Sequence, residues 1–162
     1  MLLYILRHAE AEDLSPSGLD ADRALTDAGT KRMKAVARTI ARMEPGFEAI
    51  FVSPLLRARQ TAEPVAAACR FRGELTVTEA LVPGSDPAVV LEELESAGFE
   101  SVLVVGHEPH LGSLVGRLVS GRKDVAVPMK KAALAVFEIH PHLGSARGDL
   151  KAYLTPRFLE RL

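Results

Sequence analysis

Leu2-Leu3-Tyr4-Ile5-Leu6-Arg7-His8 sets an unbroken apolar run directly against a guanidinium and an imidazole. A run of this length reads as a strand buried on both faces, and the two polar residues mark its carboxyl end. The arrangement recurs twice. Ala49-Ile50-Phe51-Val52 leads into Ser53-Pro54-Leu55-Leu56-Arg57-Ala58-Arg59-Gln60-Thr61-Ala62, and Ser101-Val102-Leu103-Val104-Val105 leads into Gly106-His107-Glu108-Pro109. Three buried strands thus each deliver Arg or His at or just beyond their carboxyl ends, the edge of an open α/β sheet at which ligands bind.

Between these strands lie longer segments of helical period, which predicts an α/β three-layer sandwich with a mostly parallel central sheet and helices on both faces. The first helix starts after Thr26, a suitable N-cap, and turns Met33, Val36, Ile40 and Met43 to one side until Pro45-Gly46 stops it. A second begins near Pro54 and packs through Leu55, Ala58, Ala62, Val65 and Ala66, with Pro64 expected to kink it or end its first part. Asp86-Pro87 is an N-cap followed by proline at the first helical position, opening a helix through Glu95. Pro109 opens another with Leu111, Leu114, Val115 and Leu118 inward. Ala133–Ile139 and Asp149–Leu154 read as two strands around a turn at Gly144-Ser145, which makes the C-terminal part of the sheet antiparallel.

Composition narrows the function classes. A chain of 162 residues, 48% hydrophobic and 25% charged, is expected to form one domain over residues 1–162. Its net charge of -1 supplies no global field for nucleic acid or anionic membrane, so any anion site must be local. Cys69 is the single cysteine, which excludes an intramolecular disulfide and a cysteine-based zinc cluster. The five-residue apolar run before Arg7 is too short for a signal peptide, and no stretch approaches the ~18 apolar residues of a membrane span. A cytoplasmic setting is the expectation.

The three strand-end motifs resemble those of the histidine phosphatase superfamily. Its Arg-His-Gly signature corresponds to Arg7-His8-Ala9, its Ser-x-x-x-Arg-Ala-x-x-Thr-Ala signature to Ser53–Ala62, and its late Gly-His signature to Gly106-His107. The small size, the Arg-His-Ala opening, Arg23-Ala24-Leu25-Thr26 and the late Tyr153-Leu154-Thr155-Pro156 look most like the SixA-type phosphohistidine phosphatases. Ala9 departs from the usual glycine. A methyl group is costly there only if the backbone needs a positive φ or a very close approach to phosphate.

The resemblance implies roles that suit the chemistry. Phosphoryl transfer needs an in-line nucleophile and positive charge on the equatorial oxygens. His8 would be the nucleophile, provided that it is neutral and its other nitrogen is pinned. Arg7 and Arg57 would clamp phosphate oxygens with forked donors, His107 would donate a further hydrogen bond, and Arg23 would reach into the pocket. The general acid is a gap. Glu79, after the Val77 strand, sits where a family glutamate can fall, and an exposed strand-end glutamate is the plain alternative. A phosphohistidine substrate relaxes that need, because its imidazole leaving group has a conjugate acid of pKa about 6.5.

Other polar residues carry less. His140-Pro141-His142 falls in a turn with no carboxylate or cysteine at ligand spacing, so no metal site is expected. His110 lies in the first turn of a helix and at most flanks the pocket. Arg59, Arg122-Lys123 and Lys130-Lys131 read as solvated charges, the last two pairs able to touch an acidic partner. Cys69 reads as a small buried hydrophobe.

The expected activity is that of a metal-independent, cofactor-free phosphatase that removes phosphate from a phosphohistidine on a protein partner through a phosphorylated His8. Two other readings use the same residues: a phosphatase for a small phosphomonoester, and a non-catalytic phosphate-binding regulatory module. A mutase fits less well, because family mutases are longer and cover their substrate.

Overall fold

The computed structural model describes residues 1–140 and 147–162. Six strands form one sheet: β1 (Leu2–Arg7), β2 (Ala49–Val52), β3 (Leu75–Val77), β4 (Ser101–Gly106), β5 (Leu134–Ile139) and β6 (Gly148–Leu154). They lie in the order β3-β2-β4-β1-β5-β6. β3, β2, β4 and β1 run parallel, whereas β5 pairs antiparallel with both β1 and β6. The mixed sheet is the one expected from the sequence. The turn placed at Gly144-Ser145 lies outside the described residues.

Side-chain alternation divides the central strands between two cores. Tyr4, Leu6, Ile50, Val52, Leu103, Val105, Leu134 and Val136 face α1 (Asp27–Arg42) and α2 (Leu56–Ala68). Leu3, Ile5, Ala49, Phe51, Val102, Val104, Ala135 and Phe137 face α3 (Pro87–Ala97) and α4 (His110–Ser120). Apolar residues on both faces explain why these strands read as continuous runs. A last short helix, α5 (Pro156–Leu159), packs on α1 through Leu159. No helix among the described residues is long and apolar enough to cross a membrane.

Local signals act where the sequence put them. Thr26 Oγ1 accepts the Gly29 N–H at 2.9 Å and starts α1, and Asp86 accepts the Ala88 N–H at 2.8 Å with Pro87 first in α3. Gly121 ends α4 at φ 73°, a conformation that glycine takes without a Cβ penalty.

Two expectations fail. Met43 is not on the buried face of α1: the helix ends at Arg42, Met43 caps it, and its side chain is exposed. Pro64 does not end the first part of α2, which continues to Ala68; a proline interior to a helix forfeits one hydrogen bond, and the buried Ala58, Thr61, Ala62 and Val65 hold this helix against the sheet.

Candidate active site

Strand register assembles the site. Arg7 is level with Gly106 in the β1–β4 pair, so His8 and His107 leave adjacent parallel strands side by side. Their ring centroids are 4.9 Å apart. The His8 N–H continues the ladder to the Gly106 carbonyl at 3.0 Å, and the Ser53 N–H does the same to Val105. Arg57, on the first turn of α2, is 5% exposed, and His8 and His107 are buried with it.

Both imidazoles are buried and hydrogen-bonded. His8 Nδ1 lies 2.6 Å from the Ala9 carbonyl oxygen, which can only accept. The proton therefore sits on Nδ1, and Nε2 keeps its lone pair. Burial lowers the His8 pKa to about 4, and Arg57, Arg7 and Lys131 push it the same way against the Ala9 hydrogen bond. The ring is neutral at pH 7. His107 is lowered to about 3 by burial, with His8 and Arg57 adding to the effect. Its Nε2 meets Ser53 Oγ at 2.8 Å. Ser53 Oγ also accepts from Leu55 N at 3.4 Å, and a hydroxyl with one hydrogen and two lone pairs can meet Nε2 in either tautomer of His107.

Two unpaired nitrogens complete the picture. Arg7 Nε and His107 Nδ1 are buried atoms with no hydrogen-bond partner among the described residues. A buried polar group left unpaired is costly, and an oxyanion beside the neutral His8 would satisfy Arg7 Nε, and His107 Nδ1 when that nitrogen carries the proton. Arg7 Nη1 donates to the Met129 carbonyl at 2.5 Å, which fixes the other end of its guanidinium.

Arg23 joins the group indirectly. Its Nη1 donates to Asp20 Oδ1 at 2.7 Å, and Arg57 Nη2 donates to Asp20 Oδ2 at 2.9 Å. Asp20 therefore bridges the two arginines, which hold its pKa below the usual carboxylate range. Glu79 stands apart. It opens the 3-10 turn Glu79–Leu81 after β3, exposed and outside the hydrogen bonds of the site.

Ala9 takes an ordinary backbone conformation, since the non-glycine residues at positive φ are Glu44, Arg70 and Ala132. Its methyl group is buried in the core under α1 and α2, and its N–H donates to Thr61 Oγ1 at 3.1 Å. The Thr61 hydroxyl in turn donates to the Arg57 carbonyl at 2.7 Å.

Sequence reading missed Asp20, Glu108 and Tyr153 as neighbours of the site. Only Glu108, adjacent to His107, carried a local hint. It also misjudged the surroundings of His140. Glu138 lies two residues before it, and pairing of β5 with β6 adds Asp149 across the strands, a carboxylate that linear spacing did not reveal. Lys151 Nζ already neutralises them, at 2.6 Å from Glu138 and 3.9 Å from Asp149. His142 lies outside the described residues. His110, first residue of α4, is 2% exposed with neither ring nitrogen paired among the described residues. Arg59 is exposed, and Cys69 caps α2 against the core.

Known proteins share the architecture and part of the sequence. The profile of the histidine phosphatase superfamily (branch 1) matches residues 3–82. An uncharacterized protein of a Picosynechococcus strain is 39% identical over 83% of this chain and 82% of its own. The phosphohistidine phosphatase SixA of Escherichia coli is 34% identical over 75% of this chain and 76% of its own. A solved structure of the protein histidine phosphatase SixA complexed with tungstate superposes with a TM-score of 0.85 at 28% identity, covering 97% of this chain and 98% of that one. With its strand-end histidines and arginines in that family's order and on that family's fold, the chain belongs to the histidine phosphatase superfamily and is SixA-like.

Proposed function

We propose that the protein hydrolyses phosphohistidine on a protein partner through a phosphorylated His8, without a metal or cofactor. One observation carries the reading: His8 is neutral, with Nδ1 pinned to the Ala9 carbonyl and Nε2 left as a lone pair beside the unpartnered Arg7 Nε and His107 Nδ1. Nε2 attacks phosphorus while Arg7, Arg57 and His107 bind the equatorial oxygens. Arg23 supports Arg57 through Asp20.

The phosphorus–nitrogen bond of the substrate breaks, and its imidazole departs after taking up a proton. Water then attacks the His8–phosphate, releasing inorganic phosphate and returning His8 to its neutral form. Glu79, on the same edge of the sheet, is assigned the transfer of protons to and from solvent. The phosphohistidine preference draws support from the low demand that an imidazole leaving group places on an acid. The names of the SixA relatives support it too.

The test is a chelator-treated assay of a phosphohistidine-bearing phosphotransfer domain against a panel of small phosphomonoesters, with His8→Ala in parallel. Rapid loss of protein phosphohistidine, abolished in the variant, is the expected result. Turnover of the esters alone would keep the His8 chemistry and reject the protein substrate. Phosphate binding with no turnover of either substrate would make the domain a binding module.

A further inference from the structure

Glu108 follows His107, and its half-buried carboxylate turns back over the first turn of α4. A Cβ built on Gly112 would lie 2.7 Å from Oε2 and 3.1 Å from Oε1, so the absence of a side chain at 112 makes the room that the carboxylate fills. The amino end of a helix favours a negative charge at this place. Oε1 accepts the Met129 N–H at 3.0 Å. The carbonyl of that same residue receives Arg7 Nη1 across 122 positions of sequence. Met129 is thus gripped on its N–H by Glu108 and presents its oxygen to Arg7.

The flanking residues are fixed as well. Val127 N–H donates to the Gly112 carbonyl at 2.9 Å, and the Tyr153 hydroxyl donates to the Pro128 carbonyl at 2.7 Å. Glu108 is also the acidic neighbour that favours the charged form of Arg7 against its burial. Of the bonds on segment 127–129, the one to Glu108 is made by the residue next to His107. It couples the end of β4 to the guanidinium at the end of β1.

We propose that Glu108 is a positioning residue for Arg7: its carboxylate holds the Met129 peptide so that the Met129 carbonyl fixes Nη1 and leaves Arg7 Nε free for a phosphoryl oxygen. The inference rests on the phosphate-binding role of Arg7 proposed above. Glu108 itself need not touch substrate.

The experiment measures the affinity for inorganic phosphate by calorimetry, together with kcat and KM for the phosphohistidine protein, in Glu108→Ala, Glu108→Gln, Arg7→Ala and the Arg7→Ala/Glu108→Ala pair. Thermal melts of each variant verify folding. Glu108→Ala is expected to weaken phosphate binding about tenfold, as loss of a hydrogen bond that supports a charged ligand-binding group does. Glu108→Gln keeps an acceptor for the Met129 N–H and should stay within about threefold of the parent. In the Arg7→Ala background the Glu108→Ala effect should vanish, the signature of two residues acting as one unit.

Gly112→Ala gives an independent route, because its methyl group displaces the carboxylate without removing it. It should weaken phosphate binding in the same direction. An unchanged affinity in Glu108→Ala would overturn the proposal, as would a tenfold loss that persists when Arg7 is already alanine. Intact coupling in phosphate binding, alongside no turnover of phosphohistidine, would uphold the positioning role and reject the proposed activity.

Discussion

Asp20 holds Arg57 at two points: its main-chain carbonyl accepts from Nη1 at 2.8 Å and its carboxylate from Nη2 at 2.9 Å. The guanidinium is 6% exposed and the carboxylate 60% exposed, so a buried cation is oriented by an acid at the rim. The carbonyl contact survives a change of side chain, and the charge does not. Asp20→Asn should therefore keep Arg57 in place while removing a negative charge that competes with an incoming phosphoryl group. We expect phosphate to bind about threefold more tightly, with the gain shrinking as salt is added. Product inhibition measured at two ionic strengths checks this.

Ser53 pairs with the Nε2 side of His107. Its hydroxyl lies 2.8 Å from Nε2, and when it donates there Nδ1–H is left as the donor toward bound phosphate. Ser53→Ala releases the ring to adopt either tautomer. kcat/KM should fall about tenfold, in line with loss of one well-placed donor to a charged group, while the melting temperature changes little. A variant as active as the parent would show that the tautomer is set elsewhere.

Thr61 carries a structural duty within a motif that reads as functional. Its hydroxyl accepts from the Ala9 N–H and donates to the Arg57 carbonyl in a fully buried position. Thr61→Val preserves shape and leaves the Ala9 N–H unpaired, which costs about 1–3 kcal/mol. Urea denaturation should show that loss, with the slope of the transition unchanged.

Acid should unfold this protein early. His8, His107 and His110 are kept neutral by burial, with pKa values lowered to about 4, 3 and 4. In the unfolded chain they titrate near 6.5. Between about pH 6.5 and about 4 the unfolded state binds protons that the folded state refuses, so stability falls as pH falls through that window. His110 isolates the effect because it lies outside the proposed chemistry. His110→Leu should remove ~1.4 kcal/mol per pH unit from the slope near pH 5. It should also raise stability at pH 7 by about 1 kcal/mol, because an unpaired polar ring leaves the interior. Denaturant midpoints at pH 7 and pH 5 decide both.

Glu79→Gln separates the two substrate classes. An alkoxide leaving group needs a proton at the moment of departure and an imidazole needs it far less. The variant should lose about a hundredfold on small phosphomonoesters, the middle of the range for a general acid, and less than about threefold on a phosphohistidine protein. Equal losses on both would remove Glu79 from the proton path.

The residues of the site differ in how far the sequence exposed them, for a physical reason. Arg7, His8, Arg57 and His107 each follow a buried apolar run, so a local pattern announces a position at the carboxyl edge of the sheet. The caps at Thr26 and Asp86 were equally local and equally legible. Asp20 and Glu108 act on partners brought near only by tertiary folding: Arg57 lies on another element, and Met129 belongs to a segment with no regular structure. Their spacing encodes nothing. The same holds at His140, where Asp149 arrives through strand pairing. Met43 was misplaced because apolar period alone does not reveal that the helix ends one residue earlier, at Arg42.

β1 lies inside the sheet between β4 and β5, which come from far later in the chain. The residues proposed for nucleophilic attack and phosphate binding at positions 7 and 8 are thus made early during synthesis and completed late, when the strands that flank them arrive. Contacts of such long range are slow to form. A nascent or partly refolded chain will carry His8 as an ordinary solvated imidazole, accepting protons near pH 6.5 and indifferent to phosphate. Phosphatase activity during refolding should then appear as a single late phase, lagging behind helix formation.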